Sequence, residues 1–312
     1  MTNISSFLGR AAAVLTVATL AAAPVLAQHA PAQAGVSAPA ASHAPSAAKH
    51  MLYRAHGPKG ATVYLLGSVH LLTPEAATLP AEVDSAFARA KTIAFEVSLD
   101  SMMMRSQELL LRGRYANGAT LRSSLSPATI AKLDSILPAY GLTLDQVNGF
   151  KPWVVALVLA QQVMAGAHFQ PQLGVDAQLN ARAHTMGKPV VGLETVDFQL
   201  GLFDSLSPAD QEKMLLEERP PAEEAKDLAK IKDAWLAGDA AGLDSLLNSR
   251  MTSAPGLLAT LLTNRNRSWI PKIETMLQGS DDALVVVGAG HLVGKQGVVE
   301  MLRAKGYTVE QM

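Results

Sequence analysis

Two stretches at opposite ends of this chain repeat one another, and the repeat constrains the fold more than any other feature of the sequence. The first reads YLLGSVHLL, a helical pattern, then ARAKTIAFEV; the second reads VVVGAGHLV, a helical pattern, then LRAKGYTVEQ. Aligning Arg89 with Arg303 also aligns Glu96 with Glu310. Each copy is a strand, Gly-x-x-His, a helix, Arg-Ala-Lys and a second strand, which predicts two related βαβ-like halves in one sheet. The glycine lets the chain leave its strand tightly. The histidine then falls just past the strand's carboxyl end, where open α/β sheets place ligands. The repeat therefore predicts that His70 and His291 meet at one site.

The remaining pattern fills in an α/β fold: a mixed sheet of two such halves, covered by helices and interrupted by a large helical insertion. LYRA and ATVYLLGS flank the turn HGPKG and read as a hairpin. A helix is expected from about Pro80 to Lys91, then the strand TIAFEVS. Residues 101–149 are helical in pattern, with starts at Ser126-Pro127 and Thr143. Lys151 to Ala167 is apolar on nearly all faces, but falls short of the ~18 uninterrupted apolar residues of a membrane span, so a buried helix is expected. Asp176 reads as the cap of a helix running to Met186, and VVGLET as a buried strand after it. Helices are expected across Ser207 to Gln278 and from Lys295 to Lys305, with YTVEQM as the terminal strand.

Ahead of this domain, residues 1–27 carry one charged side chain, Arg10, then AAAVLTVATLAAAPVLA. That is the shape of a Sec-type signal peptide, with cleavage expected after Ala27. Residues 28–50 are rich in Ala, Pro and Ser and too poor in large apolar side chains to order themselves, which predicts a disordered linker before a domain at 51–312. A bacterial periplasmic or secreted protein with no stable membrane span after cleavage is expected. With Lys+Arg 26 against Asp+Glu 27, no basic excess points to nucleic acid. The absence of cysteine excludes disulfides, thiolate metal sites and a cysteine nucleophile, so any metal must sit on His, Asp or Glu.

Glu96 interrupts one apolar run and Glu194 ends another, where an unpaired carboxylate would be costly. His70, His291 and Glu96 suit a divalent ion of the Mn, Co or Zn type with open positions, which lowers the pKa of bound water and polarises a carbonyl; a spare carboxylate would carry the proton. The competing reading of the glutamates is a buried salt bridge with an arginine. Arg265, in TNRNRS, reads by itself as a solvated helix charge. Gly288-Ala289-Gly290 after VVV imitates a dinucleotide-binding turn, but too little chain remains beyond it for the further βα units that fold needs.

Taken together, YLLGSVH, FEVS, GVDAQL, GLET, RNRSW and VVVGAGHLVG resemble the TraB/GumN family, whose distant animal relatives are the Tiki metalloproteases. The order and spacing of these motifs, with Lys151-Pro152-Trp153 and Trp235 before Gly238-Asp239, extend the likeness from about Leu52 to Val309. The resemblance implies an erythromycin esterase/ChaN-like core whose two Gly-x-x-His motifs converge. It gives His70 and His291 the paired-histidine positions and Glu96 and Glu194 the strand-end acids. Asp176, Arg265 and Asn266 take the other polar motif positions, with Asp176 beside the substrate or behind the ligands. The function expected is an exported metal-dependent hydrolase acting on peptide or protein. The alternative is a non-catalytic protein that binds a peptide, metal or haem in the same pocket.

Overall fold

The computed structural model describes residues 49–248 and 254–312. The signal peptide and nearly all of the linker expected from the sequence lie outside them. Lys49 and His50 do not: the His50 amide donates to the Met312 carbonyl at 2.7 Å, so the fold takes in the last residues of the expected linker.

Six strands form one sheet: β1 (Leu52–His56), β2 (Thr62–Ser68), β3 (Thr92–Phe95), β4 (Val190–Gly192), β5 (Ala283–Gly288) and β6 (Val309–Gln311), in the order β4-β3-β5-β2-β1-β6. β1 and β2 are the expected hairpin, closed by a turn in which Gly60 takes a φ of 95°, a conformation only glycine adopts cheaply. β2, β5, β3 and β4 are mutually parallel, while β1 runs against both of its neighbours. The sheet is mixed, as expected. Every residue of β2 and β5 is buried, which is why these runs are continuously apolar and do not alternate.

The two repeated halves interleave. β5, from the second, inserts between β2 and β3 of the first, so the two Gly-x-x-His exits become neighbours, with Ser68 opposite Gly288. The repeat does not extend to the acids. Glu310 lies at the far edge in a half-exposed pair with Arg54, whereas Glu96 turns into the centre of the molecule.

Two expectations need correction. VVGLET is not a buried strand: β4 is a three-residue edge with a single neighbour, and Val191 is 40% exposed. The last helix starts at Val298 and not at Lys295, because Gly294, at φ 77°, breaks the chain direction after His291 and Gly297 takes the cap position. The helix at Pro80 spans Ala81–Arg89, and the starts at Ser126 and Thr143 hold, each side chain accepting the amide three residues on. Pro152–Gly166 is the buried apolar helix, and among the described residues no helix is long and apolar enough to cross a membrane.

Candidate functional site

Helix Val175–Thr185 begins directly against the β2 exit. A Cβ at Gly174 would lie 2.0 Å from the His70 carbonyl oxygen, so only glycine permits this approach, and Val175 N–H donates to the Val69 carbonyl. Gly174 holds the cap position, so Asp176 does not cap the helix as its sequence pattern predicts. One residue into the helix, its carboxylate bonds His70 Nδ1 at 2.8 Å, both side chains buried. The carboxylate accepts, so Nδ1 carries the hydrogen and, in the neutral ring, Nε2 presents a lone pair; this nitrogen finds no partner among the described residues. Burial lowers the His70 pKa, but Asp176 outweighs it and the net direction is upward.

At the β5 exit, His291 Nδ1 lies 2.6 Å from Asn266 Oδ1. Asn266 donates its amide nitrogen to the Gln296 carbonyl, which fixes its orientation and leaves His291 Nε2 as the acceptor. Burial, with Arg265 adding to it, pushes the His291 pKa down to about 3, so this ring is neutral at physiological pH. The Trp269 ring packs 4.5 Å from it.

Both strand-end glutamates turn inward. Arg265 is 1% exposed and not the solvated helix charge expected from TNRNRS. A π-helical stretch, Ala259–Thr263, precedes helix Asn264–Leu277, and the first turn of that helix carries Arg265 and Asn266 into the site. Arg265 donates Nη2 to Glu96 at 2.6 Å, grips both Glu194 oxygens at 2.8 and 2.9 Å, and reaches His291 Nε2 at 3.2 Å through Nη1. The buried pairing with an arginine that the sequence leaves open for Glu96 and Glu194 is what they form. Burial alone would raise the Glu96 pKa; the Arg265 charge and the Gly288 amide, 2.8 Å from Oε1, bring it down to about 2.

The centre of the site is Gly288. A Cβ there would stand 3.3 Å from Glu96 Oε1, 3.6 Å from His291 Cδ2 and 4.0 Å from His70 Nε2. The two imidazoles therefore share one side-chain-sized space, as the repeat predicts. His70, with Nδ1 tied to an outer carboxylate and Nε2 unpartnered beside Glu96, has the donor chemistry of a metal-ligating histidine, whereas His291 turns Cδ2 to this space and its Nε2 already accepts from Arg265 Nη1. These side chains are of metal-ligating type. Among the described residues no group of three His, Asp or Glu side chains is placed to hold a metal ion, and Arg265 supplies the positive charge that Glu96 holds.

Sequence reasoning missed Gln199, which donates to Glu194 at 2.9 Å, and the Trp269 indole, which donates to the same carboxylate at 2.9 Å. Trp269 stands in RNRSW at i+4 from Arg265, a helical spacing that could have revealed it. Gln199 had no such signal.

A model of the TraB/PrgY/gumN family matches residues 51–311. The uncharacterized protein YbaP of Escherichia coli (strain K12) is 24% identical over 242 residues, 77% of this chain and 87% of its own length. An uncharacterized protein of Treponema pallidum (strain Nichols) is 22% identical over 276 residues, 82% of this chain and 81% of its own. No solved structure matches the chain significantly.

Proposed function

The chain belongs to the TraB/PrgY/gumN family, and from that premise we propose that it is an exported metal-dependent hydrolase of peptide or protein substrates, working at the carboxyl ends of β2, β3 and β5. One observation carries the reading: His70 Nε2, a buried nitrogen without a partner among the described residues, faces the same Cβ-sized space as Glu96 Oε1 and His291, and Asp176 orients its ring.

His70, His291 and Glu96 would hold the ion, which requires Arg265 Nη1 to give up the His291 Nε2 lone pair. A divalent ion held by them would supply Lewis-acid activation of water and of the substrate carbonyl. Asp176 and Asn266 keep the two Nδ1 hydrogens in place, so neither ring rotates its lone pair away. Glu96 stays ionised at neutral pH and orients an attacking water by accepting its hydrogen bond. Glu194 is committed to Arg265, Gln199 and Trp269, and its role is to fix the guanidinium. Closure of this buried site to bulk water strengthens each of these interactions.

The experiment measures Mn, Co and Zn binding by calorimetry and turnover of a fluorogenic peptide library, for the wild type and for His70→Ala and His291→Ala, beside thermal melts of the metal-free proteins. Loss of metal and turnover in folded variants supports the proposal. A wild type that binds no divalent ion overturns metal dependence. Full metal binding with no peptide cleaved overturns the hydrolase reading in favour of a binding protein.

A further inference from the structure

A hydroxyl that no part of the mechanism uses lies beside this space. Ser68 is the last residue of β2 and pairs with Gly288 across the parallel ladder. Residues in register on parallel neighbours point to the same face, and successive residues of a strand alternate. Gly67 faces the other way: a Cβ there would meet Ala289 and Leu292. Ser68 Oγ is therefore on the face where a Gly288 Cβ would meet Glu96, His291 and His70. Its residue is 0% exposed, and the hydroxyl finds no hydrogen-bond partner among the described residues.

Buried polar side chains without a partner are rare and call for an explanation. Here two stand two residues apart at one strand exit, Ser68 Oγ and His70 Nε2. Their chemistries are complementary: Nε2 can only accept while Nδ1 keeps the hydrogen, and a hydroxyl can donate. In the metal-free protein with His70 neutral, one water could satisfy both by donating to Nε2 and accepting from Oγ.

We propose that Ser68 is a further residue of the site, and that its hydroxyl, together with the His70 side of the pocket, holds the oxygen of the water that hydrolysis consumes. The serine forms no covalent bond in this role. It fixes the attacking oxygen on the Gly288 face; the water makes the new C–O bond, the peptide C–N bond breaks, and the water's proton leaves on the departing amine. The water's role rests on the hydrolase reading; its position does not.

Three measurements test the inference separately. In a crystal structure of the metal-free wild type that resolves ordered waters, an oxygen is expected about 2.6 to 3.2 Å from both Ser68 Oγ and His70 Nε2, and it is expected to be lost in Ser68→Ala. A Ser68 hydroxyl that donates to a main-chain carbonyl, with no bridging oxygen, overturns the proposal. On whichever library peptide the wild type cleaves, Ser68→Ala should lower kcat by roughly 10- to 100-fold with KM within about twofold, and Ser68→Thr should restore part of the loss. The melting temperature of metal-free Ser68→Ala should be unchanged or raised, because no protein hydrogen bond is removed; a clear fall would mark a structural serine and overturn the proposal. Wild-type kcat in Ser68→Ala does the same. A wild type that cleaves nothing overturns the hydrolase reading alone, and the crystal structures then decide the position of the water.

Discussion

Arg265 Nη2 lies 2.6 Å from Glu96 Oε2, and both side chains are buried, 0% and 5% exposed. A charge placed there is tolerable only because two carboxylates and a ring nitrogen share it. Removing one partner of such a pair leaves the other charges buried and uncompensated. Arg265→Ala should therefore destabilise the metal-free protein by about 3 to 5 kcal/mol in urea unfolding. Arg265→Lys keeps the charge but cannot fork between two carboxylates, and should recover only part of that. A loss under ~1 kcal/mol for the alanine variant would mean that the cluster does not stabilise the fold.

Gly288→Ala separates the site from the fold. With φ −51° and ψ 136°, position 288 is backbone that alanine adopts without strain. The added methyl enters the space between Glu96 Oε1 and His70 Nε2, 3.3 and 4.0 Å away. The melting temperature of the metal-free protein should change little, while divalent-ion affinity and turnover fall at least ~10-fold. Unchanged metal binding in this variant would show that the ion, if any, sits elsewhere.

The acid limb of stability carries two of these groups. His291 is held at about 3 against an ordinary 6.5, so the unfolded chain takes up its proton first. Its contribution is complete above pH 6.5 and lost as pH falls toward 3. Glu96, at about 2 against 4.5, adds a contribution complete above 4.5 and lost as pH falls through 2. His70 is shifted the other way, so its contribution is complete below 6.5 and lost as pH rises through its raised pKa. Metal-free protein should thus lose stability steadily between pH 6.5 and 3, and His291→Gln should flatten the upper part of that slope. Parallel slopes for the two proteins in urea unfolding at pH 7, 5 and 4 would contradict the neutral, buried state of His291.

Short-range pattern controls the features that were legible in the sequence. The duplicated Gly-x-x-His announced two equivalent strand exits, and an interleaved parallel sheet makes such exits neighbours. Helix starts were legible where a Ser or Thr side chain caps its own turn, as at Ser126 and Thr143. Asp176 misled because the same residue type caps helices and orients histidines. The choice was made by the contact between Gly174 and the His70 carbonyl, far apart in sequence, which pattern cannot report. The burial of Arg265 was hidden for the same reason: TNRNRS is polar on its own, and only Glu96 and Glu194, brought from two other strand ends, make its interior position tolerable. β4 was apolar enough to look central, yet it stands at the edge with β3 as its one neighbour in the sheet.

The contact at Gly174 gives the last prediction. A Cβ there would lie 2.0 Å from the His70 carbonyl oxygen and 2.4 Å from its carbon, both backbone atoms that cannot swing aside. Gly174→Ala must therefore push the start of helix Val175–Thr185 away from the β2 exit, lengthening the bond from Asp176 to His70 Nδ1 and the amide bond from Val175 to Val69. The expected cost is about 1 to 3 kcal/mol from overpacking, with metal affinity reduced a further ~10- to 100-fold because His70 loses the acceptor that orients it. Asp176→Asn, which keeps the helix in place, should reproduce the loss of affinity with a smaller loss of stability. If Gly174→Ala is as stable as the wild type and binds metal equally well, the close approach of this helix does not position His70.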